Sequence, residues 1–390
     1  MRIDAVDTFL VDNPPPHAGG PRWLFVKIST DQGISGVGEA TYHTRMDHTA
    51  LPLIDSIAEQ FLLGRDPTQI ERIWSAVYEQ RFVRRVGPLT APVLSGLEIA
   101  LWDITGKAYG QPVYNLLGGK FHERLRAYSY LTGWRAGDAS EKAAEMALAY
   151  VAQGFTAVKF DPVDPRTCDR LEGLRYAADV VRKVREAVGD RCDILIGTHG
   201  QFTPHGALRF ARRVEEFDPL WFEEPVPPEN VAAMAAVARA TSIPVATGER
   251  LLSKFEFVDL LAQRAAAVLQ MDVTIAGGIL EAKKIAGMAE AQYVQIAPHL
   301  YGGPVGAAAA FHLDVCSPNF LIQEGIGTWD GFHADVLQEP LVWEAGYHVP
   351  SAQPGLGIAL NEDVLARHAT RIETRARGTT GAGIDYYTRF

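Results

Sequence analysis

Four carboxylates and one imidazole, Glu223, Glu249, Asp272, His299 and Glu324, recur at intervals of roughly 25 residues, each at the end of a short apolar run. The runs are Trp221-Phe222, Val245-Ala246, Val268 to Met271, Tyr293 to Ile296 and Phe320 to Gln323. Two carboxylates one repeat apart, Glu223 and Glu249, suit a hard divalent cation such as Mg²⁺, which takes oxygen ligands and leaves positions open for water or substrate. Two solvated acids at strand ends are the plainer reading. An imidazole beside a carboxylate one repeat away, His299 with Asp272, suits a general base, because the acid orients the ring and raises its basicity. A structural histidine bonded to backbone is the alternative.

Further groups fall on the same rhythm. Lys159 and Asp161, in Val158-Lys159-Phe160-Asp161-Pro162, alternate onto one face of a strand end. Lys159 could neutralise substrate charge or move a proton, or simply form an ion pair. His199 is a second acid/base group, a metal ligand or a surface loop residue. Glu324 is a hydrogen-bond partner or acid, or a solvated strand end. Glu224 points away from Glu223 in an extended strand, which suits a structural or ion-pairing acid.

The elements that could gather these groups are the strands of a (β/α)8-type barrel. A barrel of eight strand–helix units in about 250 residues allots about 31 residues to each unit, fewer where loops are tight, and its catalytic groups sit where the strands end. The first strands are expected at Leu125 to Leu131, Ala157 to Phe160 and Ile194 to Gly197.

Ahead of the barrel, strand patterns at Ile3 to Val11 and Trp23 to Ile28, with a turn at Thr30 to Gly33, predict an antiparallel meander. Helical spacing follows from about Thr49, with Leu53, Ile54, Ile57, Ala58 and Phe61 on one face, and a second amphipathic helix is expected over Val93 to Lys107. The Pro- and Gly-rich Asn13 to Gly20 is either a linker or a flap over a substrate. The expected division is an α+β capping domain over 1–120, a barrel over 121–345 and a segment over 346–390 that packs back on the cap.

Composition excludes other classes. The chain has 390 residues, 47% hydrophobic and 22% charged, which suits a soluble enzyme with a large core. A net charge of −10 argues against nucleic-acid binding and against adhesion to anionic membranes. The three cysteines lack CxxC spacing, which points to inert thiols in a reducing compartment, the cytoplasm. No uncharged apolar run reaches the roughly 18 residues of a membrane span, and acids interrupt the N-terminus where a signal peptide would need an apolar core.

Taken together, Arg22 to Lys27, Ala100-Leu101-Trp102-Asp103, Trp221-Phe222-Glu223-Glu224-Pro225, Gly248-Glu249, Asp272 with Gly277-Gly278, and Ala297-Pro298-His299 resemble the enolase superfamily, specifically its mandelate racemase-like sugar-acid dehydratases. The resemblance spans nearly the whole chain. It implies a small acid-sugar substrate, an aldonate or aldarate, held as a carboxylate on Mg²⁺. Loss of its α-proton then gives an enediolate, and departure of the β-hydroxyl yields a 2-keto-3-deoxy acid. His299, held by Asp272, is then base or acid, with Lys159 or His199 serving the other face. A homo-oligomer is expected.

Two positions depart from the pattern. Gly197 stands where the family usually has an acidic ligand, and Asp161 where racemases have a second lysine. Adjacent strands lie about 4.8 Å apart, so Asp161 can reach toward the space Gly197 leaves and serve as the third ligand. An epimerase or cycloisomerase shares the first proton abstraction and is the nearest rival activity. A silent sugar-acid binding protein, motivated by Gly197, is the alternative from another class.

Overall fold

The computed structural model describes residues 1–42, 47–79 and 86–376. Strands β1 (Ile3–Asp12), β2 (Arg22–Thr30) and β3 (Ser35–Ala40) form the expected antiparallel meander, with Phe9 opposite Phe25 and Phe25 opposite Glu39. Among the helices that follow are α1 (Ala50–Ile57), α2 (Ile70–Tyr78) and α3 (Thr90–Tyr109). The predicted amphipathic character of α3 is corrected by the structure: every residue from Ala91 to Gly106 is buried. A helix covered on all sides is an internal strut, packed here against β2 and β3 on one side and the barrel on another.

The barrel strands are β4 (Leu125–Tyr130), β5 (Ala157–Phe160), β6 (Asp193–Gly197), β7 (Trp221–Glu223), β8 (Val245–Thr247), β9 (Val268–Leu269), β10 (Gln295–Ile296) and β11 (Gln323–Gly325). From β4 to β10 each is parallel to the next, and β11 returns parallel to β4. At the seam the residues ahead of β11 meet β10: Ile296 N–H donates to Asn319 O and Leu321 N–H to Ile296 O, both at 2.9 Å. Inside, Tyr128 and Trp221 meet edge to face at 5.4 Å, surrounded by the small or aliphatic Ala157, Leu195, Ala246 and Val268. The lumen is thus a packed core, with the chemistry left to its rim.

The surrounding helices follow their periodicity. In Leu171–Val188 the buried positions Leu174, Ala177, Val181, Val184 and Val188 recur every three or four residues and face the strands.

Three expected boundaries move. Tyr293 is 99% exposed with φ 59°, so it ends a helical turn and β10 begins only at Gln295. Phe320 makes an isolated bridge and the strand proper is Gln323–Gly325, which sets Glu324 within β11 rather than beyond it. The boundary drawn at 345 crosses a hairpin, β12 (Val342–Glu344) and β13 (Tyr347–Val349), whose second strand pairs antiparallel with the start of β4. Beyond it β14 (Ala369–Ala376) pairs antiparallel with β1, giving the cap sheet the order β14-β1-β2-β3. Residues 377–390 of the C-terminal segment lie outside the described residues. Among the described residues no helix is long and apolar enough to cross a membrane.

Candidate active site

Because the strands run parallel, the predicted site residues share one rim. Lys159 is the third residue of β5 and Asp161 follows that strand; His199 follows β6; Glu223 ends β7; Glu249 follows β8; Asp272 and His299 follow β9 and β10; Glu324 lies within β11.

Two clusters form there. In the first, His299 Nδ1 contacts Asp272 Oδ2 at 2.8 Å, while its Nε2 lies 3.8 Å from Glu249 Oε2 and 4.0 Å from Glu324 Oε2. Asp272 is itself held, its Oδ1 accepting from Thr274 N–H at 2.8 Å and from the Thr274 hydroxyl at 2.6 Å. Glu324 Oε2 accepts from Leu300 N–H at 3.0 Å. Burial works against the charged imidazole, but Glu249, Asp272 and Glu324 outweigh it and lift His299 to about 10.

In the second cluster, His199 Nδ1 meets Asp161 Oδ2 at 2.6 Å, and its side chain is 45% exposed, so this ring opens to the mouth. The Asp161 carboxylate, by hydrogen bond and by charge, raises His199 to about 9. Between the clusters, buried Lys159 Nζ contacts Glu223 Oε1 at 2.6 Å and Glu324 Oε1 at 3.3 Å. Burial opposes its charge, but Glu223 and Glu324 overcome that and hold the ammonium well above the usual lysine range. Lys159 is therefore a charged group inside the rim, paired with Glu223 and Glu324.

Glu223 Oε2 also accepts from Gln270 Nε2 at 2.7 Å and Trp221 Nε1 at 3.0 Å. Burial pushes Glu223 up to about 7, with Lys159 opposing and the neighbouring Glu249 and Glu324 adding to the rise. Glu249 goes the other way: burial would raise it, but His299, Lys159 and His199 hold it at about 2. Glu224 turns aside with φ 42° and pairs with Arg250, in keeping with its structural reading.

The departure at Gly197 has a geometric counterpart. A Cβ built on Gly197 would lie 2.1 Å from Asp161 Oδ1 and 3.4 Å from Lys159 Cε, so the Asp161 carboxylate occupies the space a side chain there would need.

Comparison with known proteins matches residues 18–118 to the mandelate racemase / muconate lactonizing enzyme N-terminal domain and residues 142–364 to the enolase C-terminal domain-like family. The chain belongs to the mandelate racemase / muconate lactonizing enzyme family of the enolase superfamily. It is 36% identical over 374 residues to a D-galactonate dehydratase of Xanthomonas oryzae pv. oryzae, covering 94% of each chain. Solved structures of mandelate racemase/muconate lactonizing enzyme type are similar throughout. One from Burkholderia SAR-1 is 50% identical, covers 99% of both chains and has a TM-score of 0.91. Another, from Labrenzia alexandrii DFL-11, is 49% identical with a TM-score of 0.91, covering 95% of this chain and 97% of that one.

Members of this superfamily generally use Mg²⁺. Among the described residues no three acidic, His or Cys side chains already stand together as a metal cage. The donor chemistry nevertheless fits. Asp161 Oδ1 and Glu249 Oε2 are buried oxygens with no hydrogen-bond partner among the described residues. Glu249 is among the charges that push Glu223 up, a repulsion that a divalent cation between them would relieve.

Several residues of this family member's rim were not singled out from sequence. Gln270, which holds Glu223, had a signal in being the one amide in the apolar run Val268 to Met271. Thr274, which holds Asp272, had none. Glu39 of the cap, on β3 and buried against the loop after His299, has no signal in the sequence.

Proposed function

We propose that the chain is a Mg²⁺-dependent dehydratase of an acid sugar, an aldonate or aldarate, giving a 2-keto-3-deoxy acid. The observation that carries this reading is the pair of carboxylate-backed imidazoles, His299 on Asp272 and His199 on Asp161, at one rim. Dehydration needs one group to remove the α-proton and another to protonate the departing β-hydroxyl.

His299 is the base. Asp272 directs its Nδ1, so Nε2 is the atom that meets the α-proton, and Asp272 stabilises the imidazolium once formed. His199, raised by Asp161 and open to the mouth, is the acid that protonates the leaving hydroxyl. Lys159 supplies fixed positive charge beneath the substrate carboxylate, and Glu324, which accepts from Leu300 N–H, holds the segment after His299. Glu223, Glu249 and Asp161 would hold Mg²⁺, which when bound supplies charge stabilisation for the enediolate, of the order of several kcal/mol. The D-galactonate dehydratase relatives make D-galactonate the first substrate to try. Asp161 lying in the space at Gly197, with a buried and unpartnered oxygen among the described residues, supports it as the third ligand and weakens the motive for a silent binding protein.

The test incubates purified protein and MgCl₂ with a panel of aldonates and aldarates in D₂O. A 2-keto-3-deoxy product is expected by NMR. Deuterium incorporation without a keto acid would instead identify an epimerase, and no change in any substrate would remove the reading. The division into cap, barrel and returning tail, and the association of copies into a homo-oligomer, belong to the same proposal; light scattering measures the second.

A further inference from the structure

Two buried carboxylates of the cap domain cross into the barrel and close helix N-termini there. Glu39, on β3, accepts from Gly303 N–H at 2.5 Å through Oε1 and from Gly306 N–H at 2.8 Å through Oε2. These amides open the helix Pro304–Val315, five residues after His299. Glu98, on α3, accepts from Ile279 N–H at 2.7 Å and Leu280 N–H at 2.9 Å, at the start of the helix Ile279–Glu290 that follows Asp272. Neither helix has a side-chain cap of its own: the preceding residues are Gly303 and Gly278. The amides at a helix start need an acceptor and favour a negative one. Here the acceptor comes from another domain.

Glu39 is placed to do more than complete a helix. A Cβ on Gly303 would lie 3.0 Å from both Glu39 oxygens and one on Gly302 2.9 Å from Oε1, so the loop after His299 is moulded on this carboxylate. A Cβ on Gly306 would meet Thr274 Cγ2 at 2.6 Å and Glu39 Oε2 at 3.4 Å, which puts the threonine that holds Asp272 beside the same carboxylate. Glu39 therefore touches the segment carrying His299 and adjoins the segment carrying Asp272.

We infer that Glu39 is a positioning residue, through which the cap domain sets the alignment of the His299–Asp272 pair. The inference rests on the dehydratase reading for its kinetic readout. Glu39→Gln keeps the size of the side chain but turns an N–H₂ toward amides that donate, and so releases the loop. A misplacement of about 1 Å far from the reacting bond can cost about 10²-fold in rate.

The test measures kcat and KM on the acid sugar turned over by the wild type and compares crystal structures of both proteins. The expected result is a kcat lower by about 10²-fold with KM within about threefold, a His299–Asp272 contact lengthened from 2.8 Å, and partial recovery in Glu39→Asp. A kcat within twofold of wild type, an unmoved contact in the variant crystal, or failure of both variants to fold overturns it. Should the wild type convert no acid sugar, the dehydratase reading fails, and the crystal comparison alone decides for or against Glu39.

Discussion

Asp161 and Gly197 show how one residue's absence can define another's role. The sequence places them on adjacent strands, one with a carboxylate where racemases have lysine and one with hydrogen where the family has an acid. In the structure the carboxylate lies in the space over the glycine, with Oδ2 on His199 and Oδ1 buried and without a hydrogen-bond partner among the described residues. Asp161→Asn keeps the shape while weakening the oxygen donor. Mg²⁺ affinity, measured by titration calorimetry, should fall by at least about tenfold. Unchanged affinity would show that Asp161 is no ligand and that its role is confined to His199. The recurring acids and histidines were legible because strand-end periodicity is a property of the chain itself. The engagement of Lys159 by both Glu223 and Glu324 was not, because it depends on how far the strands tilt across the lumen and on side-chain reach, neither of which is written in spacing.

Among the elements, α3 shows where reading by pattern falls short. Its apolar residues at three- and four-residue intervals predict one covered face, yet Ser95, Glu98, Asp103 and Thr105 on its remaining faces are buried too. Thr105 donates to Leu101 O one turn back, but Ser95, Glu98 and Asp103 meet partners distant in the chain that sequence alone cannot name. Asp103 is the clearest case: Oδ2 accepts from Val37 N–H at 2.9 Å and Lys107 Nζ at 2.7 Å, and Oδ1 from Leu356 N–H at 2.8 Å. One carboxylate thus ties β3, α3 and the segment after the β12–β13 hairpin together. Burial pushes its pKa up, and Lys107 and the two backbone donors offset that only in part. Asp103→Ala would leave two buried amides without their acceptor and break the ion pair to Lys107, which keeps its bond to Ser35 O, at a cost of about 3–5 kcal/mol. Urea denaturation should show this as a lower midpoint with an unchanged slope. A loss under about 1 kcal/mol would mean that water replaces the carboxylate and that the junction is not held by Asp103.

For the whole molecule, pH sensitivity is a sum of opposing buried groups. Glu39 and Glu98 are pushed up by burial to about 7 and about 8, so they favour the folded state most at low pH and lose that contribution as pH rises through those values. Buried histidines act in the other direction. His348, on β13, is stacked on Phe311 at 4.5 Å and accepts at Nδ1 from Trp329 Nε1 at 3.2 Å, and burial alone drives it down to about 3. Its unfolded form binds a proton below about 6.5 while the folded form stays neutral, so it destabilises the fold progressively as pH falls from 6.5 toward 3. Because the two kinds of group cancel over the same range, the wild-type pH curve alone cannot separate them, but a difference between proteins can. His348→Phe changes packing by an amount that does not depend on pH and removes one titration. Between pH 7 and pH 4 the stability of wild type relative to the variant should therefore fall by about 3 kcal/mol, from 1.36 kcal/mol per pKa unit. Chemical denaturation at intervals across that range checks it, and a difference that stays flat would mean that His348 takes up its proton in the folded protein without disturbing the stack on Phe311.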